Sequence, residues 1–392
     1  MHVIQHTPRK TCSIPAKVPA LLAILIGNAS MAQAACNSYL ATPANGVIAA
    51  GSTVSNSLSN ACFQNTATTI VNQGTIVNNQ GAYPLTNPGA LTNAATGKIR
   101  NEGGLINAVG ATLTNHGTFD NHFVSFSGYL TNQGTLINDG TINNSVSSLF
   151  NYGTSAKIIN NGAINNAGDV WLSSGSNLTG SGTFTQAGYA NAVLEVDGAM
   201  TQSSVAISSG TVTGNGSINA AVSFTGGTLD LYAGTRSLTI DSVYKLAING
   251  SLSMTNSLLD VNIYKPDYAA SFAYTLAVTG PITLGGGNTF NFDLQYFTPK
   301  TGDSWKFLTG DTSGVSLSGV NFTFVSANGT VLDPNNFDVT NVNDGFVLTV
   351  LAAPKTPTPD VPVPAAAWLF GSGLIGLVGA TRRHVARAGR DE

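Results

Sequence analysis

Three residues in one short stretch, His116, Asp120 and His122, have the types that hold a metal ion or relay a proton. Their surroundings in the sequence argue for a plainer role. His116 stands where related segments carry Gln73 and Gln133, a variable turn position. Asp120 stands where Val77 and Ile137 stand, on the opposite pleat from Phe119. Both are expected to face solvent and to titrate without doing chemistry. Carboxylate pairs are the next option, because sugar cleavage needs two acids, or a base with cationic groups and often Ca²⁺. Glu195 and Asp197 share one side of a strand at i and i+2. Asp230 and Asp241 could meet only through stacking of the chain. The basic residues are scattered, and Lys98, Arg100 and Glu102 form the one close group in the first half. No Ser/His/Asp arrangement, phosphate-binding glycine loop or Ca²⁺-binding nonapeptide repeat is present. The sequence therefore assigns no catalytic residue, no metal ligand and no cofactor.

Cys36 and Cys62 are the cysteines that remain once the N-terminal leader described below is removed. In an oxidising compartment they are expected to form a disulfide that staples an N-terminal cap. Its loop of about 26 residues would contribute about 3 kcal/mol.

The elements that must position these residues follow from composition and repetition. The chain has 392 residues, and 9 % are charged, against about 25 % in a typical soluble domain. The hydrophobic fraction of 42 % excludes a disordered polyampholyte. A net charge of −3 gives no footprint for nucleic acid. The 44 glycines and the many asparagines are poor helix formers and strong turn formers, which leaves short strands and turns.

Self-similarity is the strongest signal. Asn72-Gln73-Gly74-Thr75-Ile76-Val77-Asn78 returns as Asn115-His116-Gly117-Thr118-Phe119-Asp120-Asn121 and as Asn132-Gln133-Gly134-Thr135-Leu136-Ile137-Asn138, which runs on into Asp139-Gly140-Thr141-Ile142-Asn143. Looser copies lie at 101–107 and 160–165. Such repeats mark a solenoid. Gly is expected to supply a turn geometry that side chains forbid. Ile76, Phe119, Leu136 and Ile142 should point inward, with Thr75, Thr118 and Thr135 outside. When coils stack about 4.8 Å apart, equivalent Asn amides can donate to one neighbour and accept from the other. Stacked Asp or Lys would repel, which explains the scarcity of charge.

The expected fold is an all-β, right-handed parallel β-helix with an N-terminal cap over 35–70 and solenoid repeats over 71–245. Final coils and an aromatic-richer cap follow over 246–351. About 14 coils of about 20 residues would give about 65 Å of rod. Over 35–351 eight basic residues face sixteen acidic ones, so the middle is acidic. It is similar in style to the passenger regions of autotransporter and haemagglutinin-type adhesins. The tyrosines and phenylalanines of 264–297 could stack on sugars, but core packing is their expected use.

Both ends read as addresses. Residues 1–34 form a signal peptide: Arg9, Lys10 and Lys17, an apolar stretch over 18–26, and Ala32-Gln33-Ala34 before cleavage between Ala34 and Ala35. At the other end a Pro-rich linker (352–364) precedes sixteen uncharged residues (365–380) and a basic tail (381–392). That span is short for a lasting membrane anchor, and its arginines follow the positive-inside rule. Val361-Pro362-Val363-Pro364-Ala365, then Trp368 with Gly371 and Gly373, then Arg382-Arg383, resemble the PEP-CTERM sorting signal in its VPLPA variant. The resemblance implies export through the Sec machinery and transient anchoring in the inner membrane by the C-terminal helix. Recognition by an exosortase would follow, in a Gram-negative bacterium that makes exopolysaccharide. A structural or adhesive protein of the cell surface, extracellular matrix or biofilm, in contact with exopolysaccharide, is the expected function. A secreted carbohydrate-active β-helix enzyme, lyase or hydrolase, is the alternative.

Overall fold

The computed structural model describes residues 38–40, 43, 45–56, 61–63, 69–79, 84–122, 128–231, 245–264, 272–273, 275–294, 298–326 and 329–353. The expected leader, Cys36, the sorting motif and the C-terminal apolar segment lie outside the described residues, as does Asp241. Among the described residues the only helix is the 3₁₀ turn Pro334–Asn336, and none is long and apolar enough to cross a membrane.

Among the described residues the regular structure is almost entirely β-strand, wound into stacked coils with three faces. The first face runs Ser38–Leu40, Ala61–Phe63, Leu85–Asn87, Gly104–Asn107 and onward to Asn321–Ser326, thirteen strands in succession. At about 4.8 Å per step these span about 58 Å. The second face includes Ile70–Asn72, Ala90–Asn93, Thr112–Asn115 and Thr135–Asn138. The third includes Thr75–Asn78, Lys98–Asn101, Thr118–His122, Thr141–Ser145, Ala163–Asn166 and Thr183–Gln186. Neighbouring strands in these ladders pair in parallel and in register. Strands over 38–63 already belong to the same ladders.

The seven-residue phrase is a face, not a coil. The copies at 72–78 and 115–121 cross from second face to third, whereas 132–138 crosses from first to second. Ile76, Phe119 and Ile142 therefore fill the third-face column and Leu136 the second-face column, all fully buried. Thr75, Thr118 and Thr135 are half-buried on the outside.

Each strand-ending Asn points inward, on the same side as the apolar residue two places earlier. Three ladders result. At the end of the third face, Nδ2 of Asn56, Asn78, Asn101, Asn121 and Asn144 each donates to Oδ1 of the next coil's Asn at 2.6–2.8 Å, and Asn166 donates to Gln186 Oε1. The second face repeats this through Asn72, Asn93, Asn115, Asn138 and Asn160, ending on Gln202. The first face does so through Asn87, Asn107, Asn132 and Asn151. Every link runs from donor toward the coils that follow; all but one reach the next coil, and Asn160 reaches Gln202 across the intervening coil, where Gly180 stands in that slot. The second Nδ2 proton has a partner too: Asn115 donates to Thr141 O and Asn93 to Thr118 O, both 3.1 Å. Buried amides of this kind are tolerated only when fully bonded. Asn72 Oδ1 is the exception, because the preceding coil carries Ile48 in that slot and the ladder starts there.

The glycines that precede the third-face strands have another reason than the one expected. Gly74, Gly97, Gly117, Gly140 and Gly162 are absent from the positive-φ residues. They stack at the corner between second and third faces, where a Cβ on Gly140 would run into Gly117 O and one on Gly162 into Gly140 O. Close coil-to-coil approach, not turn geometry, demands Gly here.

Beyond Gln186 the inner corner of the third face turns apolar. Gln186, Ile207, Phe224 and Met254 follow one another at the end of the third face. Near the C-terminus Phe290, Phe292, Phe307, Phe324 and Phe346 pack as a buried aromatic core, with Phe292 and Phe324 stacked at 5.3 Å. Core packing is thus the use of Phe290 and Phe292. The parallel order ends there: Ser304–Thr309 and Phe337–Asn341 both pair antiparallel with Gly345–Val350.

Candidate functional site

A groove of about 660 Å³ lies on the outside of the third face. It is lined from five consecutive coils, and two of its strands, Thr118–His122 and Thr141–Ser145, run one residue past the ladder Asn. Those extra residues, His122 and Ser145, form one wall. The floor is the outward column Arg100, Asp120, Asn143, Asn165 and Thr185, brought into line by strand register.

The floor is bonded internally. Lys98 Nζ lies 3.0 Å from Asp120 Oδ2, Asn143 Nδ2 donates to Asp120 Oδ1 at 2.8 Å, and Asn165 Nδ2 donates to Asn143 Oδ1 at 3.0 Å. Arg100 pairs with Glu102. The charges of Lys98, Arg100, Glu102 and Asp120 are therefore matched in place. Such exposed pairs contribute little stability, but they fix the direction of the side chains.

The sequence-level candidates separate as follows. Asp120 and His122 both border the groove, with Asp120 half-buried under its partners and His122 exposed. His116 lies on the neighbouring corner, where its Nδ1 is 3.2 Å from Asp139 Oδ2. Asp139 also accepts from Asn161 at 2.8 Å. Among the described residues no three His, Cys, Asp or Glu side chains converge on a metal-sized point.

Glu195 and Asp197 lie on the first face, beside a cluster of aromatic rings. Trp171 is edge-on to Phe150 at 6.3 Å, lies 5.6 Å from Tyr152, and donates its indole N–H to Asp197 Oδ2 at 3.3 Å. Asn215 N also donates to Asp197, so this carboxylate joins two coils.

One acidic arrangement had no signal in the sequence. Asp230 and Asp260 stand in register on adjacent coils of the first face, and Asp293 lies in register with Asn262 beside them. Stacked aspartates were expected to repel. Amide donors make the stack tolerable, since Asn291 Nδ2 donates to Asp260 Oδ1 at 2.8 Å and Asn262 Nδ2 reaches Asp230 Oδ1 at 3.5 Å. Burial pushes the Asp260 carboxyl above its ordinary 3.8, with the Asn291 bond opposing. A raised folded pKa favours the protonated form. Asp260 is therefore neutral in its effect below the unfolded pKa and penalises folding as pH rises above it. Asp260→Asn should raise the melting temperature at pH 7, and the gain should vanish at pH 3. Thermal melts of both proteins at the two pH values check this; an equal gain at both would contradict it.

Comparison with protein-family models, characterised proteins and solved structures finds no match to this chain.

Proposed function

We propose that this chain is an exported structural or adhesive protein of the cell surface or extracellular matrix, sorted by an exosortase and working in contact with exopolysaccharide. The observation that carries the reading is the outside of the rod. Asn143, Asn165 and Thr185 present uncharged donors and acceptors on three successive coils, on the pitch of the stack. Many weak hydrogen bonds in a row suit a repeating polymer better than one small substrate. The leader at 1–34 and the motif Val361–Ala365 with Arg382 and Arg383 support export and sorting. A right-handed winding fits the near-universal hand of parallel crossovers.

A second reading, a carbohydrate-active enzyme, is favoured by the Asp230–Asp260 stack with its raised acid. Adhesion is preferred because both carboxylates are engaged by amides in the fold.

Deletion of the gene in the native host separates the two. Adhesion predicts loss of cell aggregation with unchanged exopolysaccharide chain length. Longer polymer in the deletion strain, and oligosaccharide release by purified protein that Asp260→Asn abolishes, would overturn it in favour of the enzyme.

A further inference from the structure

We propose that the third-face groove is a binding site for an uncharged linear glycan lying along the stack, with about one sugar per coil. The inference rests on the glycan part of the proposed function and adds the site, the ligand's charge and its register.

Three observations support it. First, the volume of about 660 Å³ falls in the range of small-ligand sites, about 300–1,000 Å³, and the lining comes from five coils. Five coils at about 4.8 Å span about 19 Å along the axis. Their pitch is close to the advance of one hexose in an extended chain, so successive sugars meet register-equivalent positions, filled by Arg100, Asp120, Asn143, Asn165 and Thr185 in turn.

Second, the groove is polar in both senses. Asn143 and Asn165 amides, the Ser145 and Thr185 hydroxyls and the exposed His122 imidazole offer donors and acceptors, as sugar hydroxyls require. The bonds from Asn165 to Asn143 to Asp120 hold that floor in one arrangement before any ligand arrives. Preorganisation reduces the ordering entropy lost on binding.

Third, charge points to a neutral polymer. Lys98 is bound to Asp120 and Arg100 to Glu102, so among the described residues lining the groove every Lys and Arg is already paired with a carboxylate rather than free to recruit a polyanion.

The test uses the purified full chain and the series from cellobiose to cellohexaose, read by calorimetry and by the His122 ring-proton NMR signals. Affinity should rise with each added sugar up to about four or five, then level off, and should change little between low and high salt. The His122 signals of the wild type should shift on titration. Ser145→Trp fills the groove from its outer wall and Asn143→Ala removes two floor bonds. Each should weaken cellohexaose binding at least about tenfold, with the folded circular-dichroism spectrum retained and the melting temperature lowered by no more than a few degrees. Oligogalacturonate of equal length should bind no more tightly.

The wild-type length series and the His122 signals decide the matter even if a variant folds poorly. No binding, equal affinity across the series, silent His122 signals, or tighter and steeply salt-dependent binding of oligogalacturonate would each overturn the proposal. Saturating cellohexaose binding from a protein whose deletion leaves aggregation intact would retain the groove and overturn only the adhesive reading.

Discussion

Asn115→Asp should leave little folded protein at pH 7 and recover part of it in acid. Asn115 is fully buried near the middle of the second-face ladder. Its Oδ1 accepts from Asn93, and its Nδ2 donates to Asn138 Oδ1 at 2.7 Å and to Thr141 O at 3.1 Å. An aspartate keeps the acceptor and loses both donors. Its charge then faces two oxygens with no water to screen them. Breaking a buried polar network in this way costs about 3–5 kcal/mol, a large part of the stability of an ordinary domain. Protonation restores one donor. The folded pKa of such a group lies above its unfolded value of about 3.9, so the penalty is small below pH 4 and grows as pH rises. Asn115→Ala, which removes the amide without adding charge, should cost about 2 kcal/mol at either pH and serves as the reference. Urea unfolding of the three proteins at pH 3.5 and pH 7 measures the difference. Equal stability of Asn115→Asp at both pH values would contradict the ladder.

Gly140→Ala should be as damaging for a different reason. The new methyl would enter the space of Gly117 O, and the carbonyl of His116 lies 2.7–2.8 Å away. Backbone cannot move aside without parting two coils, and every coil above relies on that contact. A loss of about 3 kcal/mol or more is expected. Gly110→Ala is the contrast. Gly110 has φ +78° with nothing within 4 Å of its would-be Cβ, so only the backbone preference is lost, about 1–2 kcal/mol. Circular dichroism melts of both variants check the order. Similar losses in the two would mean that turn geometry, rather than stacking, sets the glycine requirement.

Much of this architecture was legible because a solenoid writes its contacts along the chain. The alternation around Thr75, Ile76 and Asn78 names the outside, the core and the ladder, and the repeats name which residues stack. What stayed hidden depends on geometry between coils. The phrase Asn-x-Gly-Thr looks alike on different faces, so sequence alone could not tell a face from a coil. The glycine column looked like a set of turns because coil-to-coil distance has no local signal. The stack of Asp230 on Asp260 was invisible across an interval of thirty residues of unequal coil length. Phe290 and Phe292 read correctly as core, because their alternation with Asn291 is local. The groove was half visible. Asp120 and His122 drew notice as titratable groups, but their setting comes from Asn143, Ser145 and Asn165, three unremarkable residues aligned only by register.

The reading of this chain as an exported, sorted surface protein is tested most directly by mass spectrometry of the protein recovered from the extracellular matrix of its native host. A chain that begins at Ala35, ends near Pro364 and carries Cys36 and Cys62 as a disulfide is the predicted result. A cell-retained chain with an intact Met1 and Glu392 would contradict it.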